Sequence, residues 1–227
     1  LTLVSAIIPA WNAARYLHEA LRSALQQSLP AGCGMEIIVV DDGSDDASAS
    51  IATELGVRVV SQPHGGAAAA RNLGVSLAGG DLLAFLDADD LWMPEKTALQ
   101  CAALAADPTC EAAFGQIEQF ISPDLAPAER ARLAMPGAAL PGYHAGALLI
   151  RREAFERAGH FATQYTVGEF IDWYARANLH SVMLPQVVMR RRLHQANQMR
   201  LTPRAQIAHD FARILHARLA RERAARL

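Results

Sequence analysis

The stretch GDLLAFLDADDLWMPE, residues Gly80 to Glu95, decides how this chain is read. Leu82 to Leu86 is an apolar run with the length of a buried strand, and Asp87, Asp89 and Asp90 stand at its end. In extended backbone, side chains two residues apart point the same way, so Asp87 and Asp89 are expected to converge from one edge. Carboxylates that close repel each other unless a cation or hydrogen-bond donors lie between them. Hard oxygen donors of this kind suit Mg²⁺ or Mn²⁺, which favour phosphate oxygens as further ligands. The competing reading has Asp90 capping the helix opened by Pro94, with the other acids in solvent.

Working back from this stretch, Leu3 to Ile8 is a short apolar strand ended by Pro9. Asn12 can cap a helix whose apolar positions Leu17, Ala20, Leu21, Ala24 and Leu25 repeat at helical spacing. Met35 to Val40 is a second buried strand, closing on Asp41-Asp42-Gly43-Ser44. A helix with Ile51, Ala52 and Leu55 on one face and a strand from Val57 to Ser61 follow. Gly65-Gly66 then leads into a helix from about Ala69 to Ala78. This alternation predicts an α/β protein, a mostly parallel sheet with helices on both faces. Trp11, the Asp41-Asp42 pair and the Asp87-Asp89 pair all fall just past the C-terminal ends of strands. Open α/β sheets bind ligands in the crevice outside those ends, so three polar clusters converge on one cleft.

Working forward, Ala112 to Ile121 reads as a strand, and Ser122 to Pro141 as a mobile acceptor-side loop with a helical turn on AERARLA. Ala145 to Ile150 reads as a strand, with helices at Arg152 to Ala158 and Glu169 to Leu179. Ser181 to Leu193 supplies one or two strands that end on Arg190-Arg191-Arg192-Leu193-His194. A final helix from Pro203 shows Ile207, Phe211, Ile214 and Leu215 on one face, with Arg213, Arg218, Arg221, Arg223 and Arg226 around it. Docking back on the body is the expected fate of this amphipathic helix, with an anionic membrane surface as the alternative.

A chain of 227 residues, 52% hydrophobic and 19% charged, folds into a sizeable core and is not disordered. A net charge of −2 gives no basic field, which argues against a nucleic-acid partner. Cys33, Cys101 and Cys110 show no CxxC spacing, so neither a disulfide framework nor a zinc site is expected, and a reducing, cytoplasmic setting fits. No apolar run approaches the roughly 18 residues that span a bilayer, and no signal peptide opens the chain. The start at Leu1 rather than Met leaves room for a trimmed upstream segment.

With these residues in place, the sequence resembles the family-2 glycosyltransferases of GT-A fold from about Val4 to Asn197. VSAIIPAWN is similar to the family's opening strand and turn, and EIIVVDDGSDD to its second strand with paired acids. GGAAAARNLGVSLAGGDLLAFLDADDLW resembles the stretch leading into the DxD-like motif, and RRLHQAN the late His-x-x-Asn block. Each block is a weak pattern alone; their order and spacing make a strong one. The resemblance implies a metal-dependent, inverting transfer of a sugar from a nucleotide-diphosphate sugar to an acceptor hydroxyl, with Mn²⁺ or Mg²⁺ as cofactor. It implies that Pro9, Ala10 and Trp11 border the nucleotide base, with Trp11 stacking on it. Asp42 then accepts from the base beside Asp41, Arg71 lies near the diphosphate, and Asp87 near the ribose. Asp89, with Asp87 and His194, holds the metal. Residues 1–200 form the catalytic domain, 1–110 as the nucleotide-sugar half and 111–200 as the acceptor half, and 201–227 is the C-terminal helix, a possible contact with the inner face of a membrane.

One departure stands out. Family members commonly show Gly-Glu-Asp on the acceptor side, where that Asp is the base; here Phe170 follows Gly168-Glu169. Glu169 and Asp172, three residues apart, are expected on one helical face, and either can serve as base, Glu169 ahead because it matches the family's own acid. The bland alternative has both merely stabilising the helix N-terminus. The rival functions are a nucleotidyltransferase, which would prefer a Gly-rich basic loop where PAWNAARYL stands, and a binding domain that lost its base with Phe170. A dehydrogenase is disfavoured, because no GxGxxG follows the first strand. The acceptor is saccharide, lipid-linked or peptide, and its selection is expected of the Gln119 to His144 segment.

Overall fold

The computed structural model describes residues 2–133 and 137–224. Strand β1 (Thr2–Ala10) is buried from Val4 onward, as a strand covered on both faces must be. Helix α1 (Ala14–Leu25), β2 (Cys33–Asp41), α2 (Ser48–Glu54), β3 (Arg58–Ser61), α3 (Ala67–Leu77) and β4 (Leu82–Phe85) continue the expected alternation. The order β3-β2-β1-β4 is parallel throughout. β1 runs through Pro9 instead of stopping there. Ile7 faces β4 and Ala10 faces β2, so the missing N–H of Pro9 falls on the β4 side, beyond the last pairing with Phe85. α3 lies close on the sheet because Gly74 has no side chain; a Cβ there would run into Ile7.

The second half is mixed. Strand β5 (Leu91–Trp92) precedes α4 (Lys96–Ala106), β6 (Ala112–Ile121), α5 (Pro127–Arg130) and β7 (Leu140–Pro141). A single 3₁₀ turn at Ala145–Ala147 leads into β8 (Leu149–Arg151), α6 (Arg152–Ala158), α7 (Glu169–Ala177), β9 (Ser181–Leu193), α8 (Gln198–Leu201) and α9 (Arg204–Ala224). The sheet continues from β4 as β8-β6-β9-β5, with β7 beside β6. β8 is antiparallel to β4 and β6, whereas β6 and β9 are parallel. One apolar core lies against α1, α2 and α4, and another around Phe85, Phe155, Phe161 and Trp173 lies against α3, α6 and α7.

Two expectations and the competing reading of Asp90 are corrected. The segment predicted as a strand from Ala145 begins with the 3₁₀ turn, and only Leu149–Arg151 is extended. Asp90 does not cap α4, which starts at Lys96 after Glu95; its carboxylate accepts the Arg192 N–H at 2.8 Å and fastens β9 to the end of β4. The apolar face of α9 is narrower than its periodicity suggests: Ile214 is buried against the body, while Leu215 is 57% exposed. The helix docks nonetheless. The buried Asp210 carboxylate accepts the Thr166 and Val167 amides at 2.9 and 3.3 Å, and Arg221 reaches Asp172 at 3.4 Å. No helix among the described residues is long and apolar enough to cross a membrane.

Candidate active site

The loop after β2 clips onto the start of α1. Ser44 Oγ accepts the Asn12 N–H, Ser48 Oγ that of Ala13 and Asp46 that of Ala14, at 2.8 to 3.0 Å, so the amides ahead of α1 have partners. Trp11 sits at the turn, half exposed, its indole stacked on His64 at 4.4 Å between ring centroids. Pro9 and Ala10 are buried at the strand end beneath it.

The paired acids divide their work in a way the sequence does not announce. Asp42 is buried and fully engaged: Oδ1 accepts Gly65 N–H at 2.8 Å and the Gln62 amide at 2.6 Å, Oδ2 accepts Gly66 N–H at 2.8 Å, and His64 Nδ1 lies 3.2 Å from the Asp42 carbonyl and 2.9 Å from Oδ2. It anchors the glycine loop ahead of α3. Asp41 makes one side-chain hydrogen bond among the described residues, from Ser44 N–H at 3.2 Å, so its second oxygen keeps its capacity to accept.

At the mouth of β4, Arg71 is buried between two carboxylates. Nη2 donates to Asp87 at 2.6 Å and Nη1 to Glu169 at 2.7 Å. Burial would raise the Asp87 carboxyl, yet Arg71 and the neighbouring His144 hold it down at about 2. His144, which sequence reasoning missed, places Nε2 3.8 Å from Asp87; burial pulls its pKa below the usual imidazole value, against the pull of Asp87. A lone His in a Gly-rich loop carries no local signal. What brings it here is a buried clamp on the following turn. Trp92 Nε1 donates to Gly146 O at 2.8 Å, Gln100 Nε2 to Ala147 O at 2.7 Å and Lys96 Nζ to Leu148 O at 3.2 Å. Three successive carbonyls outside any ladder are thus satisfied by three side chains.

Asp89 does not share the Asp87 cluster, because a turn and not extended backbone follows β4. Its Oδ2 meets His194 Nε2 at 2.8 Å and Asn197 Nδ2 at 3.1 Å. His194 Nδ1 accepts the Ala196 N–H, so the imidazole proton lies on Nε2 toward Asp89. Among the described residues no three His, Cys, Asp or Glu side chains converge as a metal cage. The donor set still fits a hard divalent ion at Asp89: its Oδ1 carries no hydrogen bond among these residues, and His194 and Asn197 orient the carboxylate as outer partners orient a ligand. Asp87 gives Oδ1 to Arg71, and His194 gives Nε2 to Asp89.

Glu169 opens α7 after Gly168, whose φ of +85° suits glycine and whose missing Cβ makes room for Ile214 of α9. Asp172 does not join it. It is buried and paired with Arg176 at 2.9 Å and with Arg221 of α9, away from Arg71. Phe170 fills the aromatic core between Phe114, Trp173 and Tyr174.

The parallel strands β3-β2-β1-β4 gather an indole, an acceptor-ready carboxylate, a buried arginine and further acids outside their ends, where an open α/β sheet has its ligand crevice. The chain matches the profile of Glycosyl transferase family 2 over residues 5–162, and it belongs to that family. It is 40% identical over 99 residues to an uncharacterised glycosyltransferase of Nostoc sp., covering 41% of this chain and 30% of that one. It is 33% identical over 127 residues to the chondroitin synthase of Pasteurella multocida, covering 54% of this chain and 13% of that one. The chain thus spans less than a third of the length of these curated relatives. Among solved structures, S. aureus TarS 1-349 in complex with UDP-GlcNAc superposes with a TM-score of 0.70 at 19% identity, over 88% of this chain and 61% of that chain. The likeness establishes the GT-A fold.

Proposed function

We propose that the protein transfers a sugar from a nucleoside-diphosphate sugar to an acceptor hydroxyl by a single, inverting displacement. The observation that carries this reading is the Asp87–Arg71–Glu169 chain, which joins a carboxylate at the strand ends to one at the start of α7 through a single buried cation. The base lies against the Trp11–His64 stack, and Asp41, with its open oxygen, accepts from it in place of Asp42. Asp87 lies near the ribose and Arg71 near the diphosphate. Asp89 would hold Mn²⁺ or Mg²⁺, which supplies Lewis-acid relief of the charge developing on the departing diphosphate. Glu169, not Asp172, takes the acceptor proton, because Asp172 is buried behind two arginines. Phe170 gives no ground for a binding-only domain: it packs in the core, and the neighbouring acid is retained. Residues 1–110 serve the donor and 111–200 the acceptor. The unpaired thiols fit a reducing compartment.

Calorimetric titration of uridine and guanosine diphosphate, with Mn²⁺ and then with EDTA, tests this reading. Binding that is largely lost in EDTA is expected. Undiminished affinity without metal removes the metal-assisted part. No diphosphate binding and no donor hydrolysis under either condition removes the whole reading.

A further inference from the structure

Three arginines in a row end β9, and their surroundings differ. Arg190 pairs with Glu118 at 3.1 Å and lies over the Phe120 ring. Arg192 is buried on Glu19, Ser122 and the Asp89 carbonyl, between the Tyr16 and Phe120 rings. The Arg191 side chain makes no hydrogen bond or ion pair among the described residues. Its register partner on β6 is Gln119, and both line a cleft of about 240 Å³ with Ile117, Leu140, Tyr143 and His144. Such a volume lies just below the roughly 300–1,000 Å³ of ligand pockets and suits a single sugar ring at an open rim. Tyr143 is 54% exposed, while its ring rests on Phe114 and Tyr174, each 5.4 Å away between centroids. The ring is therefore a fixed, amphipathic platform bordering the cleft. His144 stands where this cleft meets Asp87. The charge of Arg191 is felt at both His144 and Asp87, although Asp87 already has Arg71 as its own buried cation.

An unpartnered guanidinium beside an exposed aromatic face offers two kinds of recognition. The planar fork holds a carboxylate or phosphate, and the ring covers the C–H face of a sugar. We propose that this cleft is the acceptor subsite and that it takes an acidic saccharide, its ring laid against Tyr143 and its anionic group held by Arg191. The assignment rests on the glycosyltransferase reading and adds the substrate class to it. The donor diphosphate is the other possible source of an anion for Arg191, so donor and acceptor are tested separately.

The full chain, with Mn²⁺ and uridine diphosphate present, is titrated by saturation-transfer NMR with methyl glucuronide, glucose 6-phosphate and methyl glucoside. At least one acidic probe should bind about tenfold more tightly than the neutral one. Arg191→Gln should erase that preference while leaving uridine diphosphate affinity within about twofold. Tyr143→Ala should weaken all the sugars alike. The guanidinium has no hydrogen-bonded partner to lose, and its charge acts on Asp87 and His144 with opposite signs, so Arg191→Gln should shift the melting temperature only slightly. Equal binding of acidic and neutral probes overturns the proposal, as does a tenfold loss of uridine diphosphate affinity in Arg191→Gln. Failure of the wild type to bind any nucleoside diphosphate would instead strike the underlying reading.

Discussion

At the ends of β1 and β2, backbone amides hold the acids. Asp42 is fixed by Gly65 and Gly66, Asp41 by Ser44, and the start of α1 by side chains of the loop after β2. From α3 and the end of β4 across to α7 and the end of β9, side chains from distant elements hold one another. Arg71 and Glu169 are 98 residues apart, and Asp89 and His194 are 105 apart. A carboxylate on amides keeps its position whichever side chains surround it. A carboxylate on an arginine keeps its position only while that arginine is there. The first side is therefore a scaffold that tolerates substitution one residue at a time, and the second is a network in which one loss reaches several groups.

The largest effect expected is on turnover. Glu169→Gln keeps the shape and a hydrogen bond to Arg71 but removes the proton acceptor, so transfer should fall by about 10²–10⁴-fold while nucleotide affinity survives. Asp172→Asn should cost stability instead of turnover. Single-turnover rates beside melting curves check the pair; if the two substitutions slow transfer equally, the division between Glu169 and Asp172 is wrong.

Next is Arg71→Met. It leaves the half-buried Asp87 and Glu169 without the buried cation between them; breaking a fully buried set costs about 3–5 kcal/mol, and the partial exposure of both acids places the expected loss at the lower end of that range. By contrast Ser44→Ala, on the amide-held side, should cost about 1 kcal/mol, since it removes a neutral hydrogen bond to the exposed Asn12 amide. Urea unfolding of both variants reads the contrast, and equal losses would erase it.

That contrast also explains what the sequence makes legible. Strands β2 and β4 are apolar runs with acids at or just past their ends, and β1 is one that leads into Trp11, so the crevice and its contents can be read from local pattern. Glu169 and Arg71 follow from family resemblance, but their mutual contact does not, because no periodicity links residues 98 apart. Asp41 and Asp42 are adjacent and chemically alike; only the backbone amides of the Gly65-Gly66 loop separate their roles. Asp172 misleads because spacing of three on a helix predicts a shared face, whereas Arg176 one turn on and Arg221 from α9 draw it away. Lys96 and Gln100 look like the polar face of α4, yet both are fully buried against the carbonyls around His144.

Lys96 gives a smaller prediction with a definite sign. It is the one lysine in the chain, and burial brings its pKa down from 10.5 to about 7. Between those values the unfolded chain binds a proton that the folded protein does not, so stability should rise with pH from about 7 toward 10.5. From pH 7 to 9 the rise attributable to Lys96 is on the order of 2 kcal/mol. Lys96→Met should lack that slope, which denaturant unfolding across the range would reveal. Parallel curves for the two proteins would mean that the amine keeps its proton inside the core.

The smallest expected effect concerns α9, which belongs to the networked side. Arg221 reaches Asp172 at 3.4 Å and is 40% exposed, and Asp172 retains Arg176 at 2.9 Å when Arg221 is removed. A long, partly solvated ion pair of this kind contributes about 0.2–1 kcal/mol, so Arg221→Ala should shift the unfolding midpoint only slightly. Asp210 differs, since its buried carboxylate holds the Thr166 and Val167 amides directly ahead of Gly168 and Glu169. Asp210→Ala should therefore cost more stability than Arg221→Ala and should loosen the placement of Glu169. Hydrogen exchange at the 166–169 amides separates the two: faster exchange in Asp210→Ala with no change in Arg221→Ala would mean that α9 acts on the site through a buried hydrogen bond. Equal protection in both variants would make α9 a packing element with no hold on α7.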